Sequence, residues 1–231
     1  MSSQTPAGFV ADARLAEAGF TGGVTTRAMG DMADPAQRAR ALEMVGLGHL
    51  PAYDLKQEHG CVVHDLVSAP SQPRLGDGWC VHSPGRVALA YVADCMPIFV
   101  WDADGAAAAV LHSGWKGTKA NIAAVGVAAL FRRGAAAASL RAVIGPHIGR
   151  CCYAVGDDFE KYFRAGSLER RGGKLYLDLG AEARAQLISA GVPASAISSD
   201  AACTACSGLF YSFRREKSGT RMMAFLAMRH D

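Results

Sequence analysis

Hydrophobic positions along this chain form short apolar runs in its middle third, with longer helix-like patterns on either side. The short runs are rich in apolar and β-branched residues and are bounded by Gly, Pro and Asp, which is typical of strands. The strands predicted here are 61–67, 78–82, 86–92, 96–102 and 106–112. Several adjacent strands without intervening helices argue against a regular parallel α/β arrangement. The pattern therefore predicts an α+β fold with helices packed outside a strand-rich centre.

Two helices have clear start and end signals. Asp34 can cap the first helix, Pro35 suits its first turn, and a glycine at 46 or 48 ends it. A longer helix is predicted from about 118 to 133, with an apolar stripe along it and Gly134 at its end. Further elements are predicted as helices near 157–165 and 180–190 and as strands at 141–145, 174–178, 195–199 and 221–228.

The chain has 231 residues, which is enough to bury a substantial core, and no linker or change in composition divides it. We therefore expect a single domain over residues 1–231. Half of the residues are hydrophobic and 19% are charged, which excludes general disorder. The formal charge is only +3 and the basic pairs are scattered, so no nucleic-acid partner is expected.

The sequence also bears on location. Its opening segment has neither the basic part nor the apolar part of a secretory signal. The longest apolar run, 87–101, is interrupted by Asp94 and is shorter than the ~20 residues that span a membrane. Seven cysteines are an odd number in a chain without a secretory signal, so reduced thiols are expected. We predict a cytoplasmic protein without a membrane partner.

His112 lies at the end of a predicted buried strand that leads into a helix. A polar residue at such a strand end faces the open rim of a sheet, where ligands commonly bind. The helix start that follows favours an anion, and Lys116 strengthens that preference. The segment is not a P-loop, because its lysine precedes the glycine. The alternative is that His112 only ends the strand and Trp115 fills the core.

Cys95 lies at the end of the most apolar predicted strand. A cysteine in such a strand is most often an inert core residue. Asp94 argues for more, because a charge within a strand needs a partner. Alternation puts Asp94 and Cys95 on opposite faces, so Asp94 is predicted to support a site rather than to bind its ligand. His59 precedes a strand in a turn-like segment and by itself indicates only a surface histidine.

Cys203 and Cys206 form a C-x-x-C motif. A zinc site on this motif needs a second pair of ligands, and the adjacent Cys151 and Cys152 have the wrong spacing for one. A thioredoxin-like motif would open a helix early in a βαβ unit, and this motif does not. The spacing therefore predicts structural cysteines. A structural zinc or thiol-sensing module is the alternative to an enzyme.

Several ordered motifs together resemble one family over about residues 22–227. The motifs are Gly23-Val-Thr-Thr-Arg27, Gln57-Glu-His59-Gly60, Ala93-Asp-Cys95-Met-Pro97, His112-Ser-Gly-Trp-Lys-Gly-Thr118, Ile144-Gly-Pro-His-Ile-Gly-Arg-Cys-Cys-Tyr153-Ala-Val-Gly156, Cys203-Thr204 and Phe210-Tyr-Ser-Phe-Arg-Arg215. With these motifs the chain resembles the YfiH-like family, also called the multicopper polyphenol oxidoreductase (laccase) domain or peptidoglycan editing factor family, whose members include purine nucleoside phosphorylases.

The resemblance implies a four-layer α/β/β/α sandwich with mixed sheets, of the cysteine-hydrolase type seen in cytotoxic necrotizing factor. It also implies that His59, Cys95 and His112, called the trio below, form the catalytic and metal site. Its expected reactions are phosphorolysis of adenosine, inosine, guanosine and methylthioadenosine, and deamination of adenosine. Purine nucleosides and phosphate are therefore the expected small-molecule partners. The chain differs from the family pattern in a shorter stretch after Arg27 and in Ala154, where an acidic residue is common.

Two imidazoles and one thiolate make an open site that suits zinc, which keeps a fourth position for water in catalytic sites. Coordination deprotonates Cys95, whereas a free thiol beside Asp94 is expected to stay protonated. Copper is less favoured, because Met96 faces away from Cys95 and no His-x-His pair is available for a copper cluster. Arg27 and Lys116 are the predicted phosphate ligands.

Two other activities stay open at this point. One is a copper-dependent polyphenol oxidase, or laccase. The other is an amidase that edits peptidoglycan precursors, with Cys95 as nucleophile and His112 as base. Sequence reasoning leaves the physiological substrate and the oligomeric state undecided.

Overall fold

The computed structural model describes residues 8–10, 12–67, 74–200 and 202–229. The strands are β1 Phe9–Val10, β2 Phe20–Thr25, β3 Ala52–Tyr53, β4 Leu55–Lys56, β5 Val63–Asp65, β6 Arg74–Leu75, β7 Gly78–Val81, β8 Val87–Val92, β9 Met96–Asp102, β10 Ala108–Ser113, β11 Leu140–Ile144, β12 Ala154–Val155, β13 Leu168–Arg171, β14 Lys174–Leu177, β15 Ile197–Ser199 and β16 Met222–Met228. The α-helices are α1 Ala13–Glu17, α2 Pro35–Met44, α3 Trp115–Lys119, α4 Ile122–Phe131, α5 Leu179–Ser189 and α6 Phe213–Glu216. Short 3₁₀ segments cover Arg27–Met29, Ala137–Ser139, Asp157–Lys161, Ala165–Ser167 and Ala194–Ala196. Within the described ranges, no helix has the length and apolar character needed to cross a bilayer.

Two mixed sheets form the centre of the fold. One has five strands in the order β1-β2-β16-β8-β3, and the other has six in the order β15-β11-β9-β10-β7-β5. Three pairs are parallel, namely β3–β8, β5–β7 and β11–β15, and the other neighbours in these two sheets are antiparallel. Two smaller sheets have the orders β12-β14-β13 and β4-β6. The predicted α+β class is confirmed.

Three apolar clusters cover the two large sheets. The first contains residues of both sheets, among them Trp79, Phe99 and Leu226. The second packs α4 and α5 against the six-stranded sheet, and the third packs α2 against the five-stranded sheet. Every residue of β9 and β10 is buried, because both faces of these strands are covered. This is why their sequences read as continuous apolar runs instead of alternating patterns.

Most of the predicted elements are present. Each predicted strand is found with its ends shifted by at most two residues, and α2 and α5 match predicted helices. The helix predicted over 118–133 is present as α4, but its predicted start is wrong, because Asn121 adopts a left-handed conformation, with φ 59°, between α3 and α4. Its side chain then caps α4 by accepting the backbone N–H of Ala124. The helix predicted near 157–165 is also wrong, and 3₁₀ segments occupy that region.

Strand β2 was not predicted, because Gly22 and Gly23 in its middle look like a turn. The structure shows what Gly22 does there. A Cβ at this position would lie 2.6 Å from a methyl carbon of Leu15 and 3.1 Å from the carbonyl oxygen of Phe225. The glycine therefore allows helix α1 and strand β16 to approach the backbone of β2 closely.

Candidate active site

Cys95 lies in the turn where the chain passes from the five-stranded to the six-stranded sheet, between β8 and β9. The preceding Asp94 has a φ of 83°, a strained conformation for a residue other than glycine. Its carboxylate accepts hydrogen bonds of 2.6 Å from the Thr204 hydroxyl and from the backbone N–H of Arg214. Asp94 therefore belongs to a turn and not to a strand, and its contacts agree with the predicted supporting role. It holds the turn that presents Cys95.

His112 is the second-last residue of β10, and its side chain is 3% exposed. Strand β7 pairs antiparallel with β10 so that Gly78 faces Leu111, which brings Asp77 opposite His112. The backbone N–H of His112 donates to the Asp77 carbonyl at 2.7 Å, and its ring Nδ1 lies 2.8 Å from the Asp77 carboxylate. Strand pairing thus fixes the ring and leaves Nε2 for a ligand.

The same carboxylate positions His59. Asp77 accepts backbone N–H groups from Glu58 at 3.3 Å, His59 at 2.9 Å and Gly60 at 2.7 Å. These bonds hold His59 in a left-handed conformation with φ 61°. Sequence reasoning missed this role of Asp77. The available signal was a charge directly before the buried strand Gly78–Val81, since a buried charge needs partners.

The structure brings the trio together. One ligand atom from each of His59, Cys95 and His112 lies within 4.8 Å of the others. The two imidazole rings meet edge to face, with centroids 4.9 Å apart. Gly114 leaves the space that the trio needs, because a Cβ there would lie 2.9 Å from the Cys95 sulfur and 3.1 Å from a ring carbon of His59.

The trio changes the protonation of its own members. Burial raises the pKa of Cys95, but hydrogen bonds from His112 and His59 outweigh it and lower the pKa to about 6. Burial also lowers the pKa of His112, yet the hydrogen bonds to Asp77 and Cys95 raise it to about 9. The expectation that a free Cys95 thiol stays protonated is therefore wrong. The lowered pKa of Cys95 and the raised pKa of His112 both favour a thiolate beside an imidazolium in the metal-free trio.

The donor set fits a metal ion. Two imidazoles and a thiolate are ligands that zinc accepts, and the carboxylate behind His112 is the outer support common in zinc sites. Copper with an axial methionine fits less well, because the side chain of Met96 is fully buried in the apolar cluster that contains α4 and α5.

A cavity of about 880 Å³ opens beside the trio. All three trio residues line it, and the rest of its lining includes aromatic and cationic side chains together with the carboxylates of Asp54 and Asp94. The aromatic side chains are Tyr91, Trp115, Tyr153 and Phe213, and the cations are Arg38, Arg214, Lys217 and Arg221.

The structure does not bring Arg27 and Lys116 to this cavity, whose lining among the described residues includes neither. Arg27 forms an ion pair with Glu216 and lies 4.9 Å from the centroid of the Tyr211 ring. Lys116 is exposed, with its ammonium 5.7 Å from the Trp115 ring. Their role as phosphate ligands stays a prediction.

The interpretation of the cysteine spacing needs correction. Cys151, Cys152, Cys203 and Cys206, called the tetrad below, place their sulfur atoms within 4.8 Å of one another. Cys151 and Cys152 therefore supply the second pair of ligands that a zinc site on the C-x-x-C motif was judged to lack. Spacing rules failed here because the two halves come from different turns.

Comparison with known proteins defines the class. The family model described as multi-copper polyphenol oxidoreductase laccase matches residues 24–229, and the chain belongs to this family. The resemblance to YfiH-like proteins is thereby confirmed, since solved and curated proteins named YfiH also match.

Particular relatives carry enzyme names. A protein named adenosine deaminase RL5, from an unknown prokaryotic organism, is 39% identical over 140 residues, which cover 57% of this chain and 53% of that protein. A purine nucleoside phosphorylase of Aquifex aeolicus is 33% identical over 167 residues, covering 72% of this chain and 78% of that protein. The chain thus matches about half the length of the first relative and more of the second.

Solved structures share the fold over almost the whole chain. The crystal structure of the Bacillus licheniformis hypothetical protein YfiH matches with a TM-score of 0.88 at 25% identity, covering 97% of each chain. YlmD from Geobacillus stearothermophilus matches with a TM-score of 0.87 at 27% identity, covering 98% of each chain.

Proposed function

We propose that this chain is a zinc-dependent purine nucleoside phosphorylase that also deaminates adenosine. Phosphate would split adenosine, inosine, guanosine or methylthioadenosine into the free base and the sugar 1-phosphate. The observation that carries the proposal is the trio, whose donor atoms lie within 4.8 Å of one another beside the cavity. Relatives named purine nucleoside phosphorylase and adenosine deaminase support this choice of substrate class.

The cavity suits a nucleoside in size and lining. Its volume of about 880 Å³ is in the range of pockets that enclose small molecules. Trp115, Tyr153 and Phe213 offer aromatic faces on which a purine can stack. The trio lines the same cavity, so a stacked purine would have its polar edge within reach of His59, Cys95 and His112.

Phosphate needs positive charge near the sugar. Arg214 lines the cavity, but its guanidinium already donates to the carbonyls of Cys152 at 3.0 Å and Ala154 at 3.3 Å. Lys217 and Arg221 also line the cavity. Arg221 donates through Nη1 to the carbonyls of Ser218 at 3.3 Å and Thr220 at 2.9 Å. Arg214 donates through both Nη1 and Nη2, whereas Arg221 keeps its Nη2 side for an anion. We add these two residues to Arg27 and Lys116 as candidate phosphate ligands.

Within the trio, His59, Cys95 and His112 would hold the ion, and Asp77 holds both histidines. When bound, zinc supplies a water molecule whose pKa is lowered to ~7. The Asp77 carboxylate keeps the His112 ring oriented and the His59 backbone in place. The two histidines therefore do not have to move when substrate enters.

The architecture belongs to the same proposal. The three apolar clusters on the two large sheets support a four-layer α/β/β/α sandwich, and the cysteine-hydrolase type stays a prediction. Residues 1–231 would form one catalytic domain, and a cytoplasmic location stays a prediction.

The test is adenosine turnover by zinc-loaded protein with and without phosphate, comparing wild type with Cys95→Ala. Adenine that appears only with phosphate indicates phosphorolysis, and inosine that appears without it indicates deamination. Cys61→Ala is the matched control, because Cys61 belongs to neither the trio nor the tetrad. The proposal fails if wild type forms no base and no inosine, or if Cys95→Ala turns adenosine over as fast as wild type.

The phosphate ligands have their own test. Lys217→Ala and Arg221→Ala are expected to raise the KM for phosphate and to leave deamination unchanged, because only phosphorolysis binds the anion. Lys116→Ala and Arg27→Ala are measured beside them. A variant whose phosphate KM equals that of wild type removes that residue from the role.

A second candidate, amide hydrolysis in peptidoglycan precursors, is favoured by the Cys95 sulfur within 4.8 Å of a His112 ring nitrogen and by the lowered pKa of Cys95. In this reaction the sulfur bonds to the amide carbonyl carbon, the amine leaves with a proton from His112, and water then cleaves the thioester. Metal-free protein incubated with a muramyl peptide separates the two candidates. Release of the amine that Cys95→Ala abolishes supports the amidase, and no release removes it.

A further inference from the structure

The tetrad is assembled by strand pairing. Cys151 and Cys152 lie in the turn that follows β11, and Cys203 and Cys206 lie in the turn that follows β15. Because β11 and β15 are parallel neighbours, the chain leaves both strands at the same edge of the six-stranded sheet. An isolated parallel bridge between His147 and Cys203 continues this pairing beyond the strands. The four thiols therefore meet although the two pairs lie far apart in the chain.

The sulfur positions suit tetrahedral coordination. The sulfur of Cys206 lies 3.4 Å from that of Cys151 and 3.1 Å from that of Cys152, and all four lie within 4.8 Å. Four ligands at the usual Zn–S distance of ~2.3 Å have sulfur atoms about 3.8 Å apart in a tetrahedron. The two Cys206 separations are shorter than that value by less than 1 Å, and none of the others exceeds 4.8 Å, so small side-chain rotations are enough to enclose an ion.

The backbone around the tetrad is built for thiolates. The N–H of Gly149 donates to the Cys203 sulfur at 3.2 Å. A Cβ on Gly149 would lie 3.4 Å from the Cys151 sulfur and 3.1 Å from the Cys203 Cβ, so the glycine permits the close approach of the two turns. Hydrogen bonds from N–H groups stabilise a charged sulfur.

Arginines surround the tetrad and hold its turns. Arg171 donates to the carbonyl of Cys151 at 3.3 Å, and Arg214 donates to that of Cys152 at 3.0 Å. Arg215 donates to the carbonyl of Thr204 at 3.0 Å, inside the C-x-x-C motif. Four thiolates around Zn²⁺ carry a net charge of −2, which these cations offset.

We propose that Cys151, Cys152, Cys203 and Cys206 bind a zinc ion in a closed, structural site of four thiolates, separate from the trio. Zn²⁺ displaces the thiol protons, and its four sulfur ligands leave no position for water or substrate. The ion ties together two turns that both reach Asp94, because the Thr204 hydroxyl bonds its carboxylate and the N–H of Ile148 bonds its carbonyl. The role of the ion is to fix these two turns, which in turn hold the segment that presents Cys95.

Metal analysis of the whole chain tests this site. Wild type grown and purified with zinc is expected to contain about two zinc ions per chain, and Cys203→Ser/Cys206→Ser about one. Cys61→Ser is the matched control and keeps about two. In His59→Ala/Cys95→Ala, which lacks the trio, the remaining zinc should show only sulfur neighbours at ~2.3 Å by X-ray absorption.

Further measurements cover variants that fold poorly. Cys206→Ser changes only one exposed side chain. When it is added to His59→Ala/Cys95→Ala, the cobalt(II)-loaded protein should show less thiolate-to-cobalt charge-transfer absorption than His59→Ala/Cys95→Ala itself. The proposal is overturned if Cys203→Ser/Cys206→Ser retains the zinc content of wild type. It is also overturned if folded His59→Ala/Cys95→Ala binds no zinc, whether its tetrad thiols are free or joined in disulfides.

Discussion

The trio and the tetrad differ in donor type, burial and openness. The trio combines two imidazoles with one thiol and lines a cavity. The tetrad has four thiols in two turns, with Cys151 and Cys206 exposed. Three ligands leave a position for water or substrate, whereas four thiolates close the coordination sphere. The number of donors and their position relative to the cavity are therefore the basis for proposing a chemical site at the trio and a structural site at the tetrad.

Their supports differ in the same way. The trio depends on one buried side chain, Asp77, which bonds the ring of His112 and the backbone of His59. The tetrad depends on main-chain groups, such as the N–H of Gly149 and the carbonyl groups that Arg214 and Arg215 hold. A chemical site needs its ligands oriented, while a structural site mainly needs its chain segments brought together.

The largest expected effect contrasts one cysteine from each cluster. Cys95→Ala should lower kcat/KM for adenosine by about 10³-fold, because it removes a group at the reacting centre. Cys206→Ser should change it by less than about 10-fold, because the tetrad acts only through the turn that holds Cys95. Steady-state rates at saturating zinc, with melting curves for both variants, check this. Equal losses in two folded variants would refute the division into a chemical and a structural site.

Thiol reactivity gives the next largest contrast, in protein freed of metal. The pKa of Cys95 is lowered to about 6, whereas burial and the hydrogen bond from Cys206 raise that of Cys151 to about 11. Since the thiolate is the nucleophile, reaction of Cys95 with a small neutral disulfide should increase with pH and level off above about 6.

At pH 7 the thiolate fraction of Cys95 exceeds that of Cys151 by roughly 10⁴-fold, but its lower basicity removes about half of that advantage on a logarithmic scale. Cys95 should therefore react about 10²-fold faster, as mass spectrometry of the mixed disulfides can measure. A Cys95 rate that still rises steeply between pH 7 and 9 would contradict the thiolate–imidazolium pair.

Asp77 allows a test of orientation. Asp77→Asn should weaken zinc binding and lower activity by about 10- to 100-fold, because an amide cannot hold the His112 ring and three N–H groups as a carboxylate does. Asp65→Asn is the control, since Asp65 pairs with Arg133 at the surface and such pairs contribute at most about 1 kcal/mol. Zinc titration and adenosine turnover measure both variants. Similar results for the two aspartates would mean that Asp77 does not orient the trio.

The smallest expected effects compare two glycines. Gly114→Ala places a methyl group 2.9 Å from the Cys95 sulfur, so activity should fall by up to about 10-fold with little change in stability. Gly149→Ala crowds the tetrad instead, and should lower stability by about 1 kcal/mol, or roughly 2–4 °C in Tm, with activity nearly unchanged. Differential scanning calorimetry measures the stability of both variants, and adenosine turnover by the same samples measures their activity. The opposite pattern would contradict the assignment of the chemistry to the trio and of a stabilising role to the tetrad.

Much of the fold could be predicted from the sequence. Much of the site could be predicted only from several motifs taken together. The strand-rich centre follows from apolar runs and turn residues, and β9 was predicted with its observed ends. His59, Cys95 and His112 were each ambiguous alone, and only the ordered motifs pointed to all three. Asp77 was missed, because nothing local to it indicates which N–H groups it will meet.

The amino-acid sequence by itself determined the alternation of strands and turns, the cap at Asp34 and the family motifs, because each depends on residues that are neighbours in the chain. The tertiary structure alone decided which distant side chains meet. Pairing of β7 with β10 brings Asp77 to His112, and pairing of β11 with β15 brings the two halves of the tetrad together. Such contacts depend on strand order and register, which follow from packing of the whole chain and not from local spacing.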